Sequence, residues 1–326
     1  RYLNLEVRKI QLTYRSHLEP TFERLFNKLE VIQKRRPLPP IALYKIKESL
    51  AVEWTYHSNS IEGNSLTLRE TQMVLQEGIT IKGKSLKEHF EVKNHEFALA
   101  HLEQLSKSKK NLTIQEILEL HGYIMRSVED LYAGRLRNGG VRIAGANFIP
   151  PHAHKVSDLL DDLMATVNHN PMGLNPIEMA AFFHHQMVWI HPFFDGNGRT
   201  ARLAMNLILI RAGFPPAIIL RQDRKKYYTA LNSANQGNYQ KLMLLMAQAL
   251  ERSLNIYLSI LPDAEEEYME ISNLVKEPDF PYGQEYISLL ARQGKIDAHK
   301  EGKNWHTSKA AVTNYILNRK RKRHLQ

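Results

Sequence analysis

Apolar residues recur three and four apart along most of this chain, with polar positions between them, and that spacing predicts a mainly α protein. Between residues 5 and 34, Ile10, Leu18, Phe22, Leu25, Phe26 and Leu29 share one helical face. The run Arg35-Arg36-Pro37-Leu38-Pro39-Pro40 ends that helix and marks a linker, because proline cannot continue the hydrogen-bond ladder. Further helices are predicted from Ile41 to His57, Thr67 to Gln76 and Leu86 to Leu105. Thr113, with Glu116 three residues on, reads as a capping box ahead of Ile117, Leu118 and Leu120. Ser157 opens a helix whose buried face is Leu159, Leu160, Leu163 and Met164. Pro176 suits the first turn of an apolar helix ending near Ile190. Another runs from about Arg199 to Ala212, closed by Gly213 with Pro215-Pro216 behind it. Helices from about Tyr227 to Asn235 and Tyr239 to Leu261 follow.

Two stretches break this pattern. Gly134, Gly139, Gly140 and Gly145 punctuate the short run Val141-Arg142-Ile143-Ala144, and Asn147-Phe148-Ile149 precedes Pro150-Pro151, so residues 134–155 read as a β-hairpin set among helices. Past Pro262 a polar linker leads to a small unit. There a helix ends at Gly294, short strands at 298–300 and 304–306 flank Gly302, and Ser308 caps a last helix. Helix, hairpin and helix in so short a span suggest a winged helix-turn-helix. The expected division is therefore residues 1–110 as an N-terminal helical region, 111–262 as a central core, and 271–326 as the winged unit.

Composition narrows the chemistry. The 326 residues include no cysteine, which excludes disulfides, thiolate metal sites and thiol catalysis and fits a cytoplasmic location. No run is apolar enough to span a bilayer, so no membrane partner is expected. The net charge of +10 favours acidic partners such as ATP or nucleic acid, and Arg319-Lys320-Arg321-Lys322-Arg323 with the winged unit raises a DNA-binding regulator as a rival reading. His184-His185 and the His152/His154 pair lack a suitably spaced carboxylate for a metal site and read as core or surface histidines.

One stretch concentrates the chemistry: His191-Pro192-Phe193-Phe194-Asp195-Gly196-Asn197-Gly198-Arg199-Thr200-Ala201-Arg202. It lies between two apolar helices, which hold the loop rigidly. Gly196 and Gly198 let the backbone turn tightly and approach a ligand. The following helix N-terminus presents N–H groups and a dipole that favour an anion. Arg199 and Arg202, three apart on one face, suit linked phosphates. Asp195 offers a hard oxygen for Mg²⁺. His191 titrates near neutrality, as a general base must. These residue types point to phosphoryl or nucleotidyl transfer.

The stretch resembles the Fic family signature, His-x-Phe-x-Asp/Glu-Gly-Asn-Gly-Arg-x-x-Arg, at every specified position. The resemblance spans about Leu112 to Leu250 and implies a Fic helical-bundle core with a β-hairpin flap. It implies AMPylation: a Ser, Thr or Tyr hydroxyl of a target protein attacks the α-phosphate of ATP and pyrophosphate leaves. On that basis His191 is the base, Asp195 holds Mg²⁺, and Gly196, Asn197, Gly198, Arg199, Thr200 and Arg202 bind the phosphates. Phe193 anchors the loop. Val141, Arg142, Ile143 and Ala144 dock the target by strand addition, and Tyr228 and Asn235 wall the adenine.

Upstream, Ser58-Asn59-Ser60-Ile61-Glu62-Gly63 resembles the family's inhibitory pattern, Ser/Thr-x-x-x-Glu-Gly/Asn. The resemblance implies that Glu62 pairs with Arg202 and takes the γ-phosphate's place, so that Ser58, Glu62 and Gly63 form a brake. Removal of AMP from a modified protein, or transfer of another phosphate-containing group, uses the same residues and stays open. So do self-modification and a homodimer.

Overall fold

The computed structural model describes residues 14–108, 111–143, 148–261, 267–278 and 280–324, with side chains through residue 319. Helices dominate, as the apolar spacing requires: α1 (Arg15–Lys34), α2 (Pro40–Ile61), α3 (Leu68–Gln72, running into a π-turn over Met73–Glu77), α4 (Leu86–Ser106) and α5 (Ile114–Met125). Then come α6 (Val156–His169), α7 (Pro176–Ile190), α8 (Asn197–Arg211), α9 (Arg224–Asn235) and α10 (Gln240–Leu258). Capping boxes fix three of the starts: Thr67 with Glu70, Ser85 with Glu88, and Thr113 with Glu116, each hydroxyl accepting the N–H three residues on. Asn175 does the same for α7, with Pro176 in its first turn. No helix among the described residues is long and apolar enough to cross a membrane.

Helices α7 and α8 pack against each other along their length at the centre, and every position of α8 from Asn197 to Leu207 except Gly198 is buried. One continuous apolar core runs from Tyr14 to Leu261, so the N-terminal helices and residues 112–261 share it. Residues beyond 267 have a separate core around Ile271, Leu274, Ile287, Leu290 and Val312.

Several boundaries differ from the sequence reading. Helix α2 continues to Ile61 instead of stopping at His57, because Ser58 and Asn59 find buried partners on other helices. Helix α8 starts at Asn197, not Arg199: Gly196 adopts φ 73° and lets the helix begin directly behind the turn. The hairpin at 134–155 is not seen in the described residues. Residues 141–143 carry no strand, Phe148 and Ile149 carry none, and Ala144 to Asn147 lie outside the described residues. What holds the ends of this segment is the Arg137 side chain, which donates to Gly139 O (2.9 Å) and Pro151 O (2.5 Å), in place of a strand ladder.

The C-terminal unit holds β1 (Met269–Glu270), α11 (Ile271–Leu274), α12 (Gln284–Arg292), β2 (Ala298–Glu301), β3 (Asn304–Thr307) and α13 (Lys309–His324). Its sheet has the order β1-β3-β2, all antiparallel, with Met269 opposite Thr307 and Ala298 opposite Thr307 on the other side. Strand β1 falls where the sequence reads as linker; two residues are too few to show a period. The unit docks on α1 and α10 through buried charge. Arg24 holds Glu251 with two bonds (2.6 and 3.0 Å), and Lys28 sits between Glu251 (3.3 Å) and Asp297 (2.5 Å). A chain ending at Leu261 keeps the Arg24–Glu251 and Lys28–Glu251 pairs and loses Asp297, together with Gly294 O, which accepts from Thr21 and Arg24, the Ala291 and Arg292 carbonyls, which accept from Gln248, and Lys300 O, which accepts from Arg252. We therefore expect it to fold, with a lowered thermal midpoint. Failure of that chain to fold would make the C-terminal unit part of the core.

Buried histidines set an acid limit. Burial holds His57, His95 and His184 near a pKa of about 3, and His121 and His185 near about 4. Each stays neutral in the folded chain while the unfolded chain binds protons below about 6.5. Stability is thus complete above that pH and falls as pH drops, by about 2 kcal/mol per histidine at pH 5. Urea midpoints measured at pH 7.5 and pH 5 should differ clearly; equal midpoints would show that these imidazoles are not held neutral.

Candidate active site

The loop between α7 and α8 brings the expected site residues together. His191 closes α7 with a left-handed backbone (φ 51°), its N–H bonded to Met187 O at 3.0 Å. Its Nδ1 lies 3.3 Å from Val188 O, which only accepts, so Nδ1 carries the proton and Nε2 keeps its lone pair. Burial lowers the His191 pKa against a smaller opposing effect of that hydrogen bond, so the ring is neutral at pH 7.

The loop keeps its shape through its own polar groups. Asn197 Oδ1 accepts Phe193 N–H (2.9 Å) and its Nδ2 donates to Phe193 O (2.8 Å), so the side chain locks the loop and only its backbone N–H is left for a ligand. Phe193 stacks on His121, with centroids 3.6 Å apart and planes 4° from parallel. The same imidazole donates from Nε2 to Asp195 O (3.1 Å) and accepts Gly134 N–H at Nδ1 (2.9 Å). A side chain at Gly196 would crowd Met125 Sδ and His121, and its φ of 73° favours glycine. Arg137 donates to His191 O at 2.7 Å, tying the 137–151 segment to the end of α7.

The first bond inside α8 is Thr200 N to Gly196 O (2.9 Å), which leaves the N–H groups of Asn197, Gly198 and Arg199 without intrahelical partners. This is an anion site, and a carboxylate is already at it. Glu62, the C-cap of α2, lies so near Gly198 that a Cβ there would collide with Glu62 Oε1. That oxygen also accepts from Arg202 Nη2 at 2.7 Å. The contact is single, not forked, because Ser58 takes the rest: Arg202 Nε donates to Ser58 Oγ (3.1 Å) and Nη2 to Ser58 O (2.9 Å). Arg202 Nη1 is buried without a partner among the described residues. Gly63, with φ 106°, turns the chain out of α2.

Arg199 and Asp195 differ in access. The Arg199 side chain is 3% exposed and that of Asp195 54%, their charged ends 3.7 Å apart. Asp195 Oδ1 accepts Gly196 N–H at 2.6 Å, and among the described residues no donor reaches its other oxygen, so this carboxylate suits a hydrated divalent cation. Thr200 is fully buried, its hydroxyl unpartnered among the described residues, and it stands behind the loop.

The softer assignments sit farther out. Tyr228 is partly exposed with Arg224 5.0 Å above its ring. Asn235 accepts from His185 Nε2 at 2.8 Å, and His184 contacts Tyr227 Oη at 2.9 Å, so this histidine pair is used within the core. No group of three potential metal ligands exists among the described residues. In the C-terminal unit, the β2–β3 turn that a winged helix would offer to DNA packs on the core: Gln222 donates to Gly302 O and Lys300 pairs with Asp223 at 2.5 Å. Sequence reasoning missed His121, Arg137 and Glu91. None lies in the signature, and no local spacing marks them.

Comparison with known proteins follows the same lines. The Fic/DOC family profile matches residues 111–209. The chain is 40% identical over 233 residues to the protein adenylyltransferase Fic of Nematostella vectensis, covering 69% of this chain and 53% of that protein. It is 37% identical over 218 residues to the protein adenylyltransferase Fic of Drosophila melanogaster, covering 67% and 44%. The chain thus spans about half the length of the curated relatives it matches. Among solved structures, Fic-1 of C. elegans shares 32% identity over 79% of this chain and 76% of its own, with a TM-score of 0.69. A Fic domain containing signaling protein from Bacteroides thetaiotaomicron shares 28% identity over 74% and 95%, with a TM-score of 0.66. The intact signature on the α7–α8 loop and a solved relative aligned over three quarters of its length lead to one conclusion: this chain belongs to the Fic/DOC family.

Proposed function

We propose that this chain is a protein adenylyltransferase that moves AMP from ATP to a hydroxyl of a target protein and is restrained by Glu62. The observation that carries the reading is the start of α8: helix N–H groups without intrahelical partners and the buried Arg202 meet a carboxylate, Glu62, with the buried Arg199 one turn away on the same helix. A terminal phosphate is likewise anionic, with similar oxygen spacing, and the relatives' names supply the reaction class. His191 Nε2 takes the proton of the incoming Ser, Thr or Tyr hydroxyl. The oxygen bonds to the α-phosphorus as the bond to the β-phosphate's bridging oxygen breaks, and pyrophosphate leaves. Arg199 and Arg202 bind the β and γ phosphates, and the N–H groups of Asn197 and Gly198 orient them. Asp195 would hold Mg²⁺, which screens charge between the phosphates. Residues 141–144 steer the target segment, and Tyr228 and Asn235 flank the adenine. A hydroxyl of the chain itself, presented to the same loop, gives self-modification.

Incubation with α-labelled ATP, followed by mass spectrometry of the labelled proteins, tests this. A covalent AMP on a side-chain oxygen is expected. Label retained from the γ position, or no label even after Glu62 is removed, would overturn it.

A further inference from the structure

Glu91, on α4, touches both halves of the site. Its Oε1 lies 3.2 Å from Arg199 Nη1, and its Oε2 accepts from Asn64 Nδ2 at 2.9 Å. Its backbone O accepts from Asn59 Nδ2 at 3.3 Å. Asn59 and Asn64 bracket Glu62, and Asn59 O in turn accepts the N–H groups of Glu62 (3.0 Å) and Asn64 (3.1 Å). The turn that carries the inhibitory carboxylate is thus closed on itself and pinned at both ends to one residue. Other anchors of this turn are Glu88 O, at 3.1 Å from Asn64 Nδ2, the Glu88 carboxylate, which accepts from Ser65 N (2.9 Å) and Oγ (2.6 Å), Arg224 Nε, which donates to Ile61 O (2.7 Å), and Lys84 Nζ, which donates to Ser65 O (2.7 Å). None of these touches an arginine of the phosphate site.

Arg199 has few alternatives. Besides Glu91 it has the Asp195 carboxylate at 3.7 Å and the Met125 sulfur at 3.9 Å, and its Nε is unpartnered among the described residues. A buried guanidinium without its carboxylate moves toward the next one. Here that is Asp195, the group assigned to hold Mg²⁺.

We propose that Glu91 is a positioning residue that couples the brake to the phosphate site. It keeps Arg199 away from Asp195 and aimed at the phosphates, and through Asn64 and Asn59 it holds the Glu62 turn over Gly198. The inference rests on the adenylyltransferase reading given above. It adds that one carboxylate serves both the active and the restrained state, through its two separate oxygens.

Variants that cut one oxygen's contact at a time separate the two roles. Asn64→Ala removes one of the two pins, with the bond to Glu88 O, and leaves the Asn59 pin and the Arg199 contact. It should raise autolabelling several-fold above the parent, below Glu62→Gly, and should leave the KM for ATP unchanged when combined with Glu62→Gly. Glu91→Gln keeps an acceptor for Asn64 and loses the charge facing Arg199. Combined with Glu62→Gly, it should raise both the KM and the calorimetric Kd for Mg·ATP about 10-fold with little change in kcat. Glu91→Asp, which restores the charge on a shorter stem, should recover part of that loss; circular dichroism of each variant checks the fold. Labelling by Asn64→Ala equal to the parent, or unchanged nucleotide affinity in the Glu62→Gly, Glu91→Gln protein, would overturn the proposal. If Glu62→Gly alone fails to label, it is the underlying reading that falls. A misfolded Glu91→Gln protein leaves the decision to Asn64→Ala and Glu91→Asp.

Discussion

Glu62→Gly is expected to raise AMP transfer by about 100-fold or more. One carboxylate oxygen is 2.7 Å from Arg202 Nη2 and stands over Gly198, where the helix N–H groups point outward. A triphosphate placed on the same groups must bend around it, and a displacement of about 1 Å at the reacting phosphorus costs on the order of 100-fold in rate. Removing the side chain frees one N–H of Arg202 Nη2, while Ser58 still holds Nε at 3.1 Å and Nη2 at 2.9 Å, so the arginine stays in place to receive the γ-phosphate. The cost to folding is small: Glu62 is a helix C-cap, and its backbone N–H bond to Asn59 O is kept by glycine. Autolabelling with α-labelled ATP, run side by side with the parent, gives the answer. Equal labelling would refute inhibition by Glu62. Faster AMP release from a pre-modified protein by the parent than by Glu62→Gly would instead assign Glu62 to hydrolytic removal of AMP by water.

His191→Ala, made in the Glu62→Gly background, should lower transfer by about 100-fold or more while ATP still binds. His191 is held by α7, through its backbone N–H on Met187 O and its Nδ1 near Val188 O, and its ring has no contact with Arg199, Arg202 or Asp195 among the described hydrogen bonds and ion pairs. The backbone at φ 51° is unfavourable for alanine, so His191→Asn, which tolerates that conformation, is the control for folding. The pH profile carries the same assignment. Burial lowers the pKa, so the acid limb of kcat/KM belongs below pH 6.5 and activity is lost as pH falls through it. A variant that labels at near the unsubstituted rate, or an acid limb above pH 6.5, would remove His191 from the role of base.

Local information made much of this protein legible in its sequence. The capping boxes at Thr67, Ser85 and Thr113, the proline that opens α7 and the period of apolar residues all act within a few residues of themselves, so the helical architecture follows from them. The signature loop is likewise contiguous: twelve residues carry the histidine, the aspartate, the two glycines and both arginines. What spacing alone does not supply is the choice of partner across the chain. Arg202 meets a carboxylate 140 positions away, and 34 acidic residues were available to it. The family resemblance pointed to Glu62; only the packing of α2 against α8 puts that carboxylate over Gly198. Glu91, His121 and Arg137 had no signal, because a polar residue bound for the interior looks, along the chain, like one bound for solvent. Their place depends on which helices meet: α4 with α8, α5 with the signature loop, and the 137–151 segment with the end of α7. Burial of a charged or hydrogen-bonding group is tolerable only where a matching group is brought to it, and that match is made by tertiary packing.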